Sequence, residues 1–185
     1  MMGSVGVGGG QTMIEESEVE ASGIEVRGAV EADVGRLVEF NRRMALETEG
    51  KELDAATLRA GVAAVFCESV AGEARRGRYL VATIDGQVVG VLMHTWEWSD
   101  WRNGYVWWLQ SVYVEPEFRR RGVFGRLYET LRGEALEEGG VVGLRLYVEE
   151  HNRIAQETYR GLGMESGGYV VMEEMLGGPA DSSGA

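Results

Sequence analysis

The stretch from Val112 to Tyr128, VYVEPEFRRRGVFGRLY, combines residue types that could bind a phosphate or a diphosphate. An apolar strand pattern runs into a turn with Pro116, then three arginines and two glycines, then a helical pattern. The first turn of a helix has backbone N–H groups without intrahelical acceptors, and the helix dipole adds positive potential there. Glycine allows the backbone to approach an anion closely, and arginine adds charge-assisted hydrogen bonds. The stretch therefore predicts a site for an anion such as a pyrophosphate.

The charge of this stretch differs from that of the whole chain. Eighteen basic and thirty acidic residues give a net charge of −12, which opposes nonspecific binding to nucleic acid or to an anionic membrane. The basic residues of the stretch form an island on this acidic chain, and such an island favours a small anionic ligand over a polyanion. A solvated helix start is the alternative interpretation, but successive positive charges at a helix N-terminus oppose the helix dipole. We expect no nucleic acid or membrane partner.

Two segments, taken together, resemble the GNAT superfamily of N-acyltransferases. Arg119 and Gly122 match its acyl-coenzyme A loop pattern Gln/Arg-x-x-Gly-x-Gly/Ala, whereas Phe124 replaces the final small residue and Gly125 comes one place late. Downstream, HNRIAQETYRGLGM matches the pattern Asn-x-x-Ala-x-x-x-Tyr-x-x-x-Gly through Asn152, Ala155, Tyr159 and Gly163. The resemblance covers roughly residues 23–176.

The resemblance implies a set of residues that bind acetyl-coenzyme A as co-substrate, and no metal. The strand before the loop should bind the pantetheine arm through its main chain, the loop should bind the diphosphate, and a residue beyond the next strand should lie beside pantetheine. The implied residues are Val112, Tyr113, Val114, Arg119, Arg120, Arg121, Gly122, Val123, Phe124, Gly125, Arg126 and Asn152.

Tyr159 matches the tyrosine that acts as general acid in the family. Its alternative role is that of an aromatic core residue, because Ala155, Tyr159 and Leu162 also fit an apolar helical stripe. Asn152 fits a helix N-cap as well as a pantetheine contact, and both roles can hold at once.

The general base is not evident from the sequence. Some members of the family have a glutamate base on the central strand, and the resemblance places Trp108 at that position. Neither Trp108 nor Gln110, two residues further on the same strand face, can accept a proton. Glu97 is the preferred candidate base, with a water chain or direct capture of a neutral amine as alternatives. His94 is interpreted as an ordinary strand residue rather than a catalytic one.

The acceptor amine is expected to meet aromatic and acidic side chains. All five tryptophans lie between Trp96 and Trp108; Trp107 best fits the core, whereas Trp98 and Trp108 could hold an ammonium group by cation–π attraction. Glu49 belongs to an acidic run in a region that lines the acceptor pocket in the family. The run also fits a solvated loop, which is at least as good an interpretation.

These residues must be positioned by an α/β (α+β) domain, in which periodicity predicts a strand, two helices, three antiparallel strands, a helix, a strand, a helix and a terminal hairpin. Asp85-Gly86 is a strong signal for the turn between two of the strands. The predicted strands cover 24–29, 78–84, 87–97, 105–114 and 141–148, the hairpin covers 164–176, and the helices cover 33–47, 55–70, a stretch ending near 138, and 152–161.

The resemblance implies the GNAT fold, a single mixed sheet of about six or seven strands flanked by about four helices. A pair of central parallel strands should splay apart. The expected domain covers residues 23–176, between a Gly/Ser/Glu-rich disordered tail at 1–22 and a second disordered tail at 177–185.

The implied function is that of an N-acetyltransferase, which moves an acetyl group from acetyl-coenzyme A to a primary amine of a small molecule or a protein by direct attack. A non-catalytic acyl-coenzyme A-binding sensor or interaction module is the alternative, favoured by the missing strand glutamate. A cytoplasmic location is expected because the N-terminus does not fit a secretory signal. The oligomeric state stays open, with a homodimer as the commonest soluble assembly.

Overall fold

The computed structural model describes residues 23–67 and 76–176. Both predicted tails lie outside these ranges. Of the helix predicted over 55–70, residues 68–70 also lie outside, and in the described part the helix ends earlier than predicted, at Ala64. The strands are β1 (Glu25–Gly28), β2 (Arg78–Ile84), β3 (Gln87–Ser99), β4 (Gly104–Val114) and β5 (Val141–Leu146). The helices are α1 (Val34–Glu49), α2 (Ala55–Ala64), α3 (Val123–Glu138) and α4 (Arg153–Gly161). No helix in the described ranges is both long and apolar enough to span a membrane.

The five strands form one mixed sheet in the order β1-β2-β3-β4-β5. β1 to β4 are antiparallel neighbours, and β4 pairs with β5 in parallel through the crossover helix α3. This confirms the predicted mixed sheet and the parallel pairing of the strands predicted at 105–114 and 141–148, but in the described ranges the pair lies at the edge of the sheet, because β5 is its last strand. The turn at Asp85-Gly86 is confirmed too, since both residues have positive φ angles, 51° and 77°.

Helices cover both faces of the sheet, and each face has its own apolar core. On the α3 face, Leu80, Leu92 and Trp107 pack against Leu127 and Leu131. On the opposite α1 face, Val81, Val91 and Tyr113 pack against Leu37 and Phe40. Successive strand residues point to opposite faces, so β2 and β3 are nearly continuous apolar runs, as expected for a sheet buried on both sides.

An irregularity in β4 coincides with an opening between β4 and the edge strand β5. Leu92 pairs with Val112 but His94 pairs with Leu109, so β4 has one more residue than β3 between these pairs. Such a bulge bends the strand. The parallel pairing of β4 with β5 ends at the same level, at Leu109 opposite Leu146. The part of β4 from 110 to 114 therefore runs beside an opening in the sheet, as the splayed pair predicts.

The prediction of six or seven strands is wrong for the described ranges, which contain five. The predicted terminal hairpin over 164–176 has no strand. Its apolar side chains are largely exposed, for example Tyr169 at 86% and Met172 at 89%. An isolated two-stranded hairpin is marginal in water unless its apolar face packs against a core. Met164 packs against the α3-face core, whereas Tyr169 and Met172 are exposed.

His94 is a fully buried histidine in the α3-face core. Its ring stacks on Trp107 with centroids 4.4 Å apart and meets the edge of Trp96 at 5.0 Å. Burial, and to a lesser degree the positive charge of Arg78, lowers the pKa of His94 to about 4, because both disfavour the imidazolium. His94 is thus a neutral aromatic packing residue, as the sequence predicts.

The low pKa of His94 makes stability depend on pH. The unfolded chain takes up the proton near pH ~6.5 and the folded chain only near pH 4, so this contribution is complete above ~6.5 and is lost as pH falls towards 4. We expect the free energy of unfolding to fall by about 2–3 kcal/mol more in the wild type than in His94→Leu between neutral pH and pH ~4.5. Urea unfolding of both proteins measures this. If the free energies of unfolding of the two proteins changed in parallel with pH, His94 would be protonated as easily in the folded state as in the unfolded state.

Candidate functional site

The loop between β4 and α3 leads into a helix whose first-turn backbone N–H groups have no side-chain cap. Gly122 is the N-cap of α3, in the left-handed region at φ 82°, and no side chain caps the helix. The first-turn amides of Val123, Phe124 and Gly125 have no intrahelical acceptor. Arg120 is also left-handed, at φ 63°, and alternation of such residues turns successive N–H groups towards one concave surface. We call Arg120 to Gly125 the anion cradle.

The cradle is open and positively charged, so it fits the diphosphate of a coenzyme. A Cβ added at Gly122 would meet nothing within 4 Å, which leaves space in front of the amides. The side chains of Arg120 and Arg121 are exposed beside it, and the Arg121 guanidinium lies 5.4 Å from the centroid of the Phe118 ring. Arg126, one turn into the helix, lies 3.6 Å from Glu129.

The side chain of Arg119 is engaged elsewhere. Its Nε donates to the carbonyl of Val114 at 2.8 Å and its Nη2 to Oε2 of Glu47 at 2.6 Å. Glu47 lies near the end of α1 and also accepts a 2.7 Å bond from the Tyr113 hydroxyl. Although burial opposes ionisation, the bonds from Arg119 and Tyr113 lower the pKa of Glu47. Arg119 therefore ties the loop to α1.

The central strand presents its main chain, rather than its side chains, to the opening. Val112 and Val114 are partly buried against the α3-face core. Tyr113 points to the other face, where its ring lies 5.2 Å from Phe40. The side chains of all three residues are thus used in packing, which is compatible with the main-chain role implied for them.

A buried carboxylate fixes the start of the loop. Glu115 is 7% exposed and accepts bonds from Arg36 at 2.6 Å and Arg43 at 3.3 Å, both on α1. Arg36 also donates to the carbonyl of Val88. A buried carboxylate is stable only when it is paired in this way. Both ends of the segment from Glu115 to Arg119 are therefore anchored to α1, and the cradle follows from this fixed point.

Helix α4, on the far side of the opening, explains the spacing of the second motif. The Asn152 side chain accepts from the amide of Ala155 at 3.1 Å, which confirms it as the N-cap. At the other end Gly163 is left-handed at φ 85°, its amide donates to Arg160, and the amide of Met164 donates to Tyr159. This is a Schellman termination. Asn152 and Gly163 thus set the limits of a short helix that carries Tyr159.

Tyr159 faces the first turn of α3. Its ring meets the Phe124 ring edge-on, with centroids 5.6 Å apart and planes at 75°. Burial raises the pKa of Tyr159, because the phenolate is poorly solvated there. The structure therefore brings the predicted acid next to the anion cradle, although the two segments are separated by more than twenty residues in sequence.

The residues predicted for the acceptor do not form one cluster. Trp108 is half-buried on the α1 face, with Tyr147 at 4.5 Å and the Arg145 guanidinium at 5.2 Å. Trp98 is 53% exposed on the α3 face, against Tyr105 at 5.0 Å. The two tryptophans lie on opposite faces, as do Trp107 and Trp108. Glu49 is paired with Lys51 at 2.6 Å at the end of α1.

Glu97, the candidate base, is paired with Arg145 at 2.8 Å. Glu97 is on β3 and pairs with Val106 of β4, whereas the opening begins beyond Leu109 of β4. At ~3.3 Å per strand residue it is about three residues, or ~10 Å, short of the opening. Among the described residues, no group of three or more His, Cys, Asp or Glu could hold a metal ion.

Sequence reasoning missed the arginine partners of these carboxylates. Arg145 was not predicted at the site, although it lies opposite Trp108 in the parallel register. Glu115 and its two arginines were also missed. The signal in the sequence is the position of Glu115, a single acid between an apolar strand and Pro116. The sequence does not show its partners, because Arg36 and Arg43 lie more than seventy residues away.

Comparison with known proteins links these elements to one family. The acetyltransferase (GNAT) family model matches residues 42–164. A solved structure described as a possible acetyltransferase from Clostridium difficile 630 is 42% identical, has a TM-score of 0.74, and covers 83% of this chain and 97% of its own. An aminoglycoside N-acetyltransferase solved in complex with CoA is 17% identical and has a TM-score of 0.64; the match covers 83% of this chain and 95% of that chain. At that identity the likeness shows that the two proteins share a fold, and no more.

A curated relative, the thialysine N-epsilon-acetyltransferase of Bos taurus, is 31% identical over 78 residues. The match covers 42% of this chain and 45% of the relative, so the chain spans less than half the length of that protein. The family model, by contrast, spans most of the domain, including the open strand β4, the anion cradle and helix α4. The chain belongs to the GNAT acetyltransferase family.

Proposed function

We propose that this protein transfers an acetyl group from acetyl-coenzyme A to a primary amine of a small molecule or a protein. The observation that carries the proposal is the meeting of three elements at the opening of the sheet. The anion cradle lies at the end of β4, the unpaired edge of β4 runs beside the opening, and Tyr159 reaches the cradle through its contact with Phe124. Family members are acetyltransferases, which fits this arrangement.

The cradle would bind the diphosphate through the amides of Val123, Phe124 and Gly125. The exposed side chains of Arg120 and Arg121 add positive charge, and Arg126 contributes from the first turn. The free edge of β4 would bond the pantetheine arm as an added strand does, through the main chain of Val112, Tyr113 and Val114. Asn152 would lie on the pantetheine side, at the start of α4.

In the reaction the amine nitrogen attacks the thioester carbon, so a C–N bond forms and the C–S bond breaks. The departing thiolate needs a proton, and Tyr159 is the proposed donor. A general acid must be protonated at the working pH, and the raised pKa of Tyr159 satisfies this at neutral pH. The amides around the opening would also stabilise negative charge on the carbonyl oxygen.

The amine must lose a proton as well, and the carboxylates near the site are engaged by arginines. Glu97 is paired with Arg145, and Glu47 with Arg119. We therefore favour capture of an amine that is already neutral, with its proton passing to water, over Glu97 as base. This proposal agrees with the presence of Trp108 and Gln110 at the positions where an acid would otherwise lie.

The acceptor is proposed to be a primary amine, because the named relatives act on thialysine and on aminoglycosides. On this protein, Trp108 forms a surface with Arg145 and Tyr147 on the α1 face, one residue before the pairing of β4 with β5 ends. Trp98, on the opposite face of the sheet, would reach only an acceptor that extends well beyond the site, and the Glu49 carboxylate is paired with Lys51. We therefore place the amine beside Trp108.

The test is turnover of acetyl-coenzyme A with a panel of amines: thialysine, lysine, an aminoglycoside and a peptide with a free amino terminus. We expect release of free thiol and a monoacetylated product, seen by mass spectrometry, for at least one of them. Tight binding of acetyl-coenzyme A without turnover of any amine would favour the alternative, a sensor or interaction module that keeps the loop and lacks a base.

A further inference from the structure

Phe124 occupies an unusual place in the cradle. It is the position at which the family pattern has a small residue, and it lies in the first turn of α3, so its own amide is one of the free donors. Its half-buried ring contacts the Tyr159 ring at 5.6 Å and the Tyr128 ring, one turn along α3, at 6.2 Å. One residue thus has its backbone in the anion site and its side chain on the candidate acid.

Helix α4, which carries Tyr159, is largely exposed. The helix has nine residues, and none of them is buried. Its N-terminal half is solvated, with Ile154 80% exposed. After its end, Leu162 and Met164 pack against the α3-face core. The Tyr159 ring contacts the Phe124 ring.

We propose that Phe124 is a positioning residue for Tyr159: its ring fixes the orientation of the phenol and shields it from water, while its amide belongs to the anion cradle. The coenzyme diphosphate and the proton donor are thereby held by the same helical turn. This inference rests on the proposed function, in which Tyr159 protonates the departing thiolate. A small residue at this position would leave the Tyr159 ring without its neighbour.

A double-mutant cycle on kcat tests the proposal, with the panel amine that reacts fastest and with both substrates saturating. We expect Phe124→Ala to lower kcat about tenfold and Tyr159→Phe about a hundredfold. The double variant should be no slower than Tyr159→Phe, because Phe124 acts only through the Tyr159 hydroxyl. Phe124→Leu, which keeps apolar bulk, should stay within about threefold of the wild type.

Losses that multiply in the double variant would overturn the positioning role, as would a Phe124→Ala variant that weakens acetyl-coenzyme A binding at unchanged kcat. If Tyr159→Phe itself kept full kcat, the acid of the proposed function would fail, and this inference with it. If Tyr159→Phe is slow and the two losses multiply, only this inference fails.

A second measurement needs neither coenzyme nor amine. Subtracting the alkaline absorbance titration of Tyr159→Phe from that of the wild type isolates the ionisation of Tyr159. The midpoint should lie above that of an ordinary tyrosine in the wild type, because burial raises the pKa of Tyr159. Subtracting the titration of the double variant from that of Phe124→Ala isolates the ionisation of Tyr159 in the absence of the Phe124 ring. We expect the midpoint of that ionisation to fall towards the value of an ordinary tyrosine. An unchanged midpoint would contradict the shielding by Phe124.

Discussion

Replacement of Gly122 by glutamate is expected to weaken the binding of acetyl-coenzyme A at least about a hundredfold. Gly122 is left-handed at φ 82°, so any side chain there strains the turn by about 1–2 kcal/mol. The space in front of it is open, so the new carboxylate would lie beside the amides that face the diphosphate. It would compete for those donors and repel the ligand. Calorimetric titration with acetyl-coenzyme A measures the loss.

Two milder variants separate charge from backbone strain. Gly122→Ala has the strain without the charge, and we expect it to weaken binding less than about tenfold. Gly133→Ala, in the middle of α3 with nothing within 4 Å of the added Cβ, should bind like the wild type and be more stable by about 0.5–1 kcal/mol. Equal affinity of Gly122→Glu and Gly133→Ala would show that the diphosphate does not bind at this helix end.

Removal of the Tyr159 hydroxyl is expected to lower kcat about a hundredfold, while the Kd for acetyl-coenzyme A stays within about twofold of the wild type. Phenylalanine keeps the edge-on contact with Phe124, so the packing of α4 should not change. The lost step is proton donation to the departing thiolate. Steady-state turnover of the fastest panel amine, with calorimetry for the coenzyme, measures the two quantities separately.

Tyr169→Phe is the matched control, because it removes a hydroxyl from a tyrosine that is 86% exposed and lies outside both motif segments. It should leave kcat unchanged. If Tyr159→Phe also left kcat unchanged, Tyr159 would be a packing residue of α4 and the thiolate would take its proton from water. If Tyr159→Phe weakened coenzyme binding as much as turnover, its hydroxyl would serve binding instead.

The sequence patterns predicted the order of the elements and the site loop because both depend on short-range signals. Apolar runs mark β2 and β3, Asp85-Gly86 marks one turn, and the capping residues Asn152 and Gly163 mark the limits of α4. The terminal hairpin was predicted from the same kind of signal, and there it failed. The apolar residues of 164–176 show that a strand could form, but not that a core is available to bury it.

The partners of the charged side chains could not be predicted. Arg119 was expected at the anion site, but its guanidinium is bound by Glu47, more than seventy residues earlier in the chain. Glu97 was the preferred base, but its carboxylate is paired with Arg145, which lies on β5, two strands away in the sheet. Such pairings are set by how helices and strands pack in three dimensions, which periodicity does not encode. Motif spacing singled out Tyr159, and the structure puts its ring against Phe124 in the first turn of α3; its role as the acid stays a prediction.

The central claim is that the loop before α3 binds the coenzyme through its diphosphate. Calorimetric titration with acetyl-coenzyme A and with S-acetylpantetheine, which has the same thioester but no diphosphate, tests this claim most directly. We expect acetyl-coenzyme A to bind at least about a hundredfold more tightly, and its affinity to fall as salt screens the charge. Equal affinity for the two ligands, or a failure to bind acetyl-coenzyme A, would contradict the account.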